Sequence, residues 1–274
     1  MNTINKIELQ NVSYQYENGY RANENLNLCI HQGEAVAIVG QNGAGKTTAV
    51  KMMNGLYKPS EGCVLVNGID TKTKTTAQIA SMVGYVFQNP DDQIFNRSVR
   101  DEIEYMLRYL KLDKQEIKIR LEEAVALTGI KKYLNHNPFD IPYSTRKFVS
   151  IAAILAIRPQ YIILDEPTAG QDLLGIKILR KLISHLRENG ITVITITHDM
   201  EFVAENFSRV IAMADRHIVM DASMFDVFSD FQVLEQCKIK QPSIARLAYE
   251  LGYGTGIVHR RQLRELINTN LKKE

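Results

Sequence analysis

The stretch Ala35-Val36-Ala37-Ile38-Val39 runs directly into Gly40-Gln41-Asn42-Gly43-Ala44-Gly45-Lys46-Thr47. The first part is an unbroken apolar run, which predicts a strand covered on both faces, as in a parallel sheet. The second part matches the phosphate-binding pattern G-x-x-x-x-G-K-[ST], and residues 48–54 can open a helix. This strand–loop–helix order is the one that the motif requires. The stretch therefore predicts an α/β nucleotide-binding core.

The loop carries the chemistry that binds a nucleoside triphosphate. Its glycines let backbone N–H groups point at phosphate oxygens, and the N-terminus of the following helix adds a favourable dipole. Lys46 brings a positive charge to the β- and γ-phosphates, and Thr47 offers a hydroxyl to Mg²⁺. The predicted nucleotide-binding residues of this loop are Gly40, Gln41, Asn42, Gly43, Ala44, Gly45, Lys46, Thr47 and Thr48.

A second apolar run, Tyr161–Leu164, ends on two carboxylates, Asp165 and Glu166. A carboxylate at the end of a buried strand can hold Mg²⁺ beside Thr47, and this is the role predicted for Asp165. Glu166 can orient the attacking water and accept its proton, which is the general-base role. Together the two motifs predict hydrolysis of a bound nucleotide.

The remaining segments place these motifs in an α/β chain. Between Asn96 and Asn137 the apolar residues keep helical spacing, which predicts a helical insertion. Short helices are predicted in the tail around Val227–Leu234, Ser243–Leu251 and Arg260–Leu271. Further parallel strands are predicted at Thr192–Thr197, Val210–Met213 and His217–Met220, and a more exposed sheet at Ile7–Tyr16 and Cys63–Val66.

Composition excludes several classes of protein. The hydrophobic fraction of 45% and charged fraction of 23% are ordinary globular values, which excludes a disordered or fibrous chain. The 33 basic and 31 acidic residues leave a net charge of +2, too little for a broad nucleic-acid surface, so no nucleic-acid partner is expected. The cysteines Cys29, Cys63 and Cys237 are far apart, so neither a disulfide framework nor a zinc site is predicted.

No segment is predicted to enter a membrane. Met1–Gln10 alternates polar and apolar residues, unlike a signal peptide. The longest strongly apolar stretch, Phe148–Ile157, covers about half of the roughly 20 residues that a transmembrane helix needs. We therefore expect a peripheral protein at the cytoplasmic face of the cell membrane, if it acts at a membrane.

The order of motifs resembles that of the ATPase subunits of ATP-binding cassette (ABC) transporters across nearly the whole chain. Gln88 matches the family's Q-loop, Gln171-Asp172 its D-loop, and His198 its switch histidine. Tyr16 lies where the family keeps an aromatic residue that stacks on adenine. The resemblance implies catalytic roles for Glu166, His198 and Gln88. It implies that Mg²⁺ is held by Thr47, Gln88 and Asp165.

The same resemblance implies a P-loop NTPase fold of the ABC ATPase type. Residues 1–221 are expected to form the ATPase domain, with a RecA-like core, an N-terminal antiparallel β subdomain and a helical subdomain inserted at about 90–158. Residues 222–274 are expected to form a small C-terminal helical extension that could support dimerisation.

The segment Phe87–Phe95 and the tail are similar to those of energy-coupling factor transporters. The ATPases of that group drive the import of vitamins and of cobalt or nickel ions. The resemblance implies ATP and Mg²⁺ as cofactors and a second ATPase copy or a sibling ATPase as partner. It also implies an integral membrane coupling subunit and a substrate-binding membrane subunit.

One motif departs from the family pattern. The family's signature, Leu-Ser-Gly-Gly-Gln, should align with Ile141-Pro142-Tyr143-Ser144-Thr145, so both glycines are missing. Ser144 and Thr145 are expected to cap a helix over Arg146–Ile157, but a close backbone approach to the partner's ATP is harder without glycine. The resemblance therefore does not establish that this segment, Tyr143, Ser144 and Thr145, can complete the ATP site of the partner ATPase.

Three alternatives remain beside the importer ATPase. A partner that binds ATP but scarcely hydrolyses it would explain the altered signature, although Glu166 and His198 argue against it. ABC ATPases that act on ribosomes or DNA usually carry two cassettes or long coiled coils, which 274 residues do not accommodate. A kinase or GTPase would share the loop but would not need Gln88, Asp165-Glu166 and His198 in this order.

Overall fold

The computed structural model describes residues 5–271. Residues 1–4 and 272–274 lie outside the described residues. They include part of Met1–Gln10 and the outer ends of the two predicted domains. Two sheets organise the described chain. Their strands are β1 (Lys6–Gln15), β2 (Arg21–His31), β3 (Ala35–Val39), β4 (Glu61–Val66), β5 (Ile69–Asp70), β6 (Val83–Val86), β7 (Tyr161–Asp165), β8 (Thr192–Ile196), β9 (Arg209–Ala214) and β10 (His217–Ser223).

The central sheet has the order β10-β9-β3-β8-β7-β6. Strand β3 pairs in parallel with β8 and β9, and β7 pairs in parallel with β8 and β6. The edge strand β10 runs antiparallel to β9 and is mostly half-buried. The sequence had predicted its first half, His217–Met220, as another parallel strand. The predicted parallel direction was wrong. The chain reverses in a short turn at Asp215-Arg216, where both residues have positive φ, and returns along β9.

Apolar cores cover both faces of the central sheet. On β3, Val36 and Ile38 face one core, while Ala37 and Val39 face the other. Successive strand residues point to opposite faces, so a strand covered on both sides must be apolar throughout. This is the physical reason for the unbroken apolar run before the loop.

A second, antiparallel sheet with the order β2-β1-β4-β5 packs against one face. Strands β1 and β4 follow the prediction, whereas β2 was not predicted from the sequence. Polar residues break up its apolar pattern, as in Asn23, Asn25 and Asn27, although alternate positions such as Leu26 and Leu28 are buried. Strand β6, on the edge beside β7, was also missed.

Eleven helices of at least five residues lie between and after the strands in the described range. They are α1 (Lys46–Met53), α2 (Thr76–Ala80), α3 (Val99–Tyr109), α4 (Lys114–Thr128), α5 (Tyr143–Ile157), α6 (Leu173–Glu188), α7 (Met200–Asn206), α8 (Met224–Ser229), α9 (Phe231–Cys237), α10 (Ser243–Glu250) and α11 (Arg260–Leu271).

Helices α3, α4 and α5 lie within the range predicted for the helical insertion. They pack against one another through buried residues such as Ile103, Leu121 and Val149. None of the helices between residues 5 and 271 is long and apolar enough to span a bilayer.

The C-terminal extension, α8 to α11, follows β10, which runs to Ser223 rather than ending at 221. The helix predicted around Val227–Leu234 is divided in two at Asp230, whose carboxylate accepts hydrogen bonds from the first turn of α9. Helices α10 and α11 share a small core of their own around Ala248, Ile257 and Leu263.

Candidate functional site

The carboxyl ends of three neighbouring strands, β3, β7 and β8, meet at one open cavity. Ligands in open α/β sheets bind at this end of the strands, beyond their carboxyl termini. The cavity has a volume of about 480 Å³. It is lined by Tyr16, Tyr20, Ala22, Asn42, Gly43, Gly45, Lys46, Thr47, Thr48, Gln88, Asp165, Glu166, Ala169, Ile196 and His198.

The loop after β3 needs glycine at two positions. Gly40 has φ +143° and Gly45 has φ +94°, in the region that L residues avoid. A Cβ on Gly40 would overlap the Met213 carbonyl, and one on Gly45 would overlap the Ala22 carbonyl oxygen. Gly40, Gln41 and Ala44 do not line the cavity.

The Lys46 ammonium is held inside the loop itself. Its Nζ donates to the carbonyl oxygens of Gly40 at 2.7 Å and Gln41 at 2.8 Å. Burial lowers the pKa of Lys46, while the carboxylates of Glu166 and Asp165 favour its charged form. The side chain thus supplies a confined positive charge at the wall of the cavity.

Thr47 and Asp165, 118 positions apart in sequence, meet at the base of the cavity. Thr47 Oγ1 donates to Asp165 Oδ2 at 3.3 Å, and the Tyr85 hydroxyl donates to the same oxygen at 2.6 Å. Burial raises the pKa of Asp165, and the hydrogen bonds from Tyr85 and Thr47 oppose that rise. With Gln88 on the same cavity, the hydroxyl, carboxylate and amide oxygens are the hard donors that Mg²⁺ prefers, so these residues fit the ion.

Glu166 and His198 line the same cavity and lie next to each other. The Glu166 Oε1 is 3.4 Å from His198 Nε2, and its Oε2 accepts from the His198 backbone N–H at 3.4 Å. Glu166 has φ +47°, an uncommon conformation for this residue type. Burial raises the pKa of Glu166 and lowers the pKa of His198. The pair combines a largely buried carboxylate with an imidazole that favours its neutral form.

Aromatic side chains form the far wall. Tyr16 lines the cavity, and its hydroxyl lies 3.0 Å from Thr48 Oγ1. Its ring contacts Tyr14 edge-on at 5.0 Å and stacks near Tyr20 at 6.3 Å. This wall offers a flat apolar surface next to the phosphate loop.

The two predicted D-loop residues lie away from the cavity wall. The Asp172 carboxylate caps α6 by accepting from the Gly175 N–H at 2.8 Å. The Gln171 side chain donates to the Ser144 carbonyl at 3.0 Å. Within this chain, Gln171 therefore contacts α5 and Asp172 caps α6.

The chain is similar in sequence to proteins of known family. The model of the ABC transporter family matches residues 23–169. An ABC transporter ATP-binding protein of Pyrococcus furiosus is 39% identical over 247 residues, which cover 90% of this chain and 94% of that protein. The chain belongs to the ABC transporter ATP-binding family. The members of this family are ATPases that drive transport, and the ABC ATPase fold expected from the sequence is confirmed.

Two solved ABC structures are similar over most of the chain. CbiO1 from Clostridium perfringens, part of the ABC transporter complex CbiONQ, superposes with a TM-score of 0.76 at 30% identity. That match covers 91% of this chain and 99% of CbiO1. The dimeric cassette MJ0796, in a post-hydrolysis state with ADP and phosphate, gives 0.74 at 27% identity, covering 80% of this chain and 98% of that one.

The signature segment of this ABC ATPase folds differently from the prediction. Helix α5 begins at Tyr143 rather than Arg146, and Pro142 is its N-cap, without a side-chain cap hydrogen bond. Ser144 and Thr145 are therefore first-turn residues and do not cap the helix. Pro142 has a fixed φ that suits the start of a helix. Its carbonyl accepts a hydrogen bond from the Arg146 N–H at 2.9 Å, so the helix begins directly after Pro142.

Three hydrogen-bonding side chains at or beside the cavity escaped the sequence reasoning. Tyr20 lies on the cavity wall, Tyr85 donates to Asp165, and Lys147 donates to the backbone after β7. Tyr20 is only four positions from Tyr16, which is a usable local signal. Tyr85 could have been found only by recognising Val83–Val86 as the strand beside β7.

We expect Lys46→Ala to weaken nucleotide binding. The substitution removes a charge-assisted hydrogen bond to phosphate, worth about 1.5–3 kcal/mol. The Kd for MgATP should rise by about 10–150-fold, as measured by equilibrium titration. Lys58→Ala is a matched control, because Lys58 also donates to backbone carbonyls but lies away from the cavity. Unchanged affinity in Lys46→Ala would contradict the assignment of the phosphate loop.

Proposed function

We propose that this ABC ATPase powers a membrane importer of the energy-coupling factor type, for vitamins or for cobalt or nickel ions. The observation that carries the proposal is one cavity joining Lys46, Thr47, Asp165, Glu166 and His198, in a chain that is similar to CbiO1. The match with CbiO1 covers more of the chain than the match with MJ0796, 91% against 80%. Similarity beyond the common cassette supports the importer type.

In this proposal the nucleotide lies along the cavity from the aromatic wall to the base. Tyr16 stacks on adenine, and the backbone N–H groups of the phosphate loop surround the β- and γ-phosphates. Lys46 moves its charge from the loop carbonyls to the phosphate oxygens. Thr47, Asp165 and Gln88 would hold Mg²⁺, which would supply positive charge against the negative charge that develops on the phosphates.

Hydrolysis depends on the pair Glu166 and His198. The Glu166 carboxylate orients the attacking water and accepts its proton, and its raised pKa brings it closer to the value that a general base needs at neutral pH. The imidazole of His198 lies beside this carboxylate and donates to the γ-phosphate as its charge grows.

The proposed docking surface for the membrane coupling subunit lies on the Q-loop side of the helical insertion. Ile94 is buried and belongs to the core, so it does not contribute to this surface. Phe95 is 62% exposed and meets Tyr105 edge-on at 4.7 Å, and Tyr109 is 66% exposed. Phe95 and Tyr105 thus form an exposed aromatic pair, and Tyr109 follows Tyr105 by one helical turn on α3.

We expect Phe95→Ala to weaken capture of the membrane subunit. Aromatic residues at the centre of an interface often contribute about 2 kcal/mol or more, or about 30-fold in Kd. The measurement is purification from membranes through a tag on this chain, with identification of the proteins recovered. Phe231→Ala, at a similarly exposed ring of the C-terminal extension, is the control.

The unmodified chain should recover an integral membrane coupling subunit and a substrate-binding membrane subunit. This would place it at the cytoplasmic face of the membrane as a peripheral subunit. Recovery of ribosomes or DNA instead would overturn the importer proposal.

The altered signature favours a second candidate function, a low-activity partner in a pair of ATPases. Pro142 stands at the position of the signature serine and has neither a hydroxyl nor a backbone N–H. Tyr143 is 44% exposed at the first glycine position. In a heterodimer, the site of the sibling ATPase would then be the slow one. A homodimer, supported by the C-terminal extension, is the other arrangement.

A further inference from the structure

Lys147 is a fully buried lysine that the proposed mechanism does not use. It lies in α5, one turn after Tyr143, and its side chain is 1% exposed. Its Nζ donates to the carbonyl oxygen of Glu166 at 2.7 Å and to that of Ala169 at 3.2 Å. No ion pair involves Lys147 within the described chain. The two carbonyl oxygens take the place of the water molecules that would solvate an exposed ammonium group.

These two carbonyls belong to the turn that carries the Glu166 side chain. The Ala169 N–H donates to the Glu166 carbonyl at 3.3 Å and closes the turn. The Glu166 N–H is held from the other side by the Ile196 carbonyl of β8 at 2.8 Å. Glu166 keeps its positive φ inside this frame. Such a conformation persists only where the surroundings determine it fully.

Burial of an ammonium is costly unless its charge and hydrogen bonds are compensated. The charges of Asp165 and Glu166 favour the charged form of Lys147, as they do for Lys46 on the cavity side. Two buried lysines thus balance the buried carboxylate of Asp165 and the largely buried carboxylate of Glu166 around the base of the cavity. The placement points to a role at this turn rather than in the packing of α5 alone.

We propose that Lys147 is a positioning residue for hydrolysis, which clamps the Glu166 and Ala169 carbonyls and thereby holds the Glu166 carboxylate in the cavity. The inference rests on the proposed role of Glu166 as the base. It also gives the signature helix α5 a direct connection to the catalytic turn of its own chain, so a shift of α5 moves the Glu166 backbone.

The test is single-turnover hydrolysis of bound ATP by Lys147→Met, which keeps an unbranched and slightly shorter side chain but removes its donors. A misplacement of about 1 Å in a catalytic group can cost about 10²-fold, so the rate should fall by roughly 10- to 100-fold. The affinity for MgATP should stay unchanged. Lys58→Met is the matched control, since Lys58 also donates to two backbone carbonyls, those of Thr71 and Lys74.

A double substitution separates positioning from a general structural defect. If Lys147 acts through Glu166, then Lys147→Met should slow hydrolysis no further in a Glu166→Gln background. Full additional slowing there, or a wild-type rate in Lys147→Met alone, would overturn the inference. If Lys147→Met does not fold, Lys147→Gln, which keeps a shorter donor, takes its place in the same design. A wild-type rate in Glu166→Gln alone would instead refute the proposed base.

Discussion

Glu166→Gln should slow hydrolysis of bound ATP by about 10²–10⁴-fold while MgATP still binds. The amide has the same shape as the carboxylate but cannot accept the proton of the attacking water. ATP that is bound but not hydrolysed should accumulate, together with closed dimers of the ATPase. Rapid-quench measurement of the hydrolysed fraction gives the rate, and size-exclusion chromatography with MgATP gives the dimer.

Glu24→Gln is a suitable control for this experiment. Glu24 forms an ion pair with Arg216 at 3.2 Å and does not line the cavity. Its substitution should leave the hydrolysis rate near that of the unmodified chain. A wild-type rate in Glu166→Gln would mean that another group accepts the proton.

Restoring the signature should have the second-largest effect. In the proposed dimer of two copies of this chain, each site would face Pro142-Tyr143-Ser144 of the other copy. Within one copy, the Tyr143 ring lies against Gly170 with its hydroxyl 3.5 Å from Asn89 Oδ1. Loss of one phosphate contact in the transition state costs about 2.7–4 kcal/mol, or 10²–10³ in rate. The combined change Pro142→Ser, Tyr143→Gly and Ser144→Gly should therefore raise steady-state ATPase activity by about that factor.

The same reasoning predicts asymmetry in a heterodimer with a sibling that has an intact signature. Glu166→Gln in this chain should abolish most turnover, whereas the equivalent change in the sibling should do little. If the unmodified chain is already fully active alone and restoration adds nothing, the altered signature supports hydrolysis and the asymmetry idea fails.

The base of the site could be predicted because its parts lie at the ends of apolar strands. Parallel strands bring their carboxyl ends to one edge, so Thr47 after β3 and Asp165 on β7 meet despite their separation in sequence. Glu166 and His198 meet for the same reason, after β7 and β8. Local motif and strand order were sufficient for these contacts.

Other parts of the site depend on contacts that no local pattern shows. Tyr85 reaches Asp165 from a short edge strand, and Lys147 reaches the Glu166 carbonyl from a helix in the insertion. A lysine in the sequence ordinarily indicates an exposed position, so its burial can be known only from the packing of α5. The start of α5 at Tyr143 was missed because the serine and threonine suggested a cap.

The central claim is that the Glu166 site of this chain supplies the hydrolysis that drives a membrane importer. The most direct test is the steady-state MgATPase rate of the complex captured from membranes through a tag on this chain, with and without Glu166→Gln. We predict that the unmodified complex contains an integral membrane subunit and hydrolyses ATP, and that the substitution lowers its rate by about 10²-fold or more. An equal rate in the two complexes, or capture without any membrane subunit, would contradict the claim.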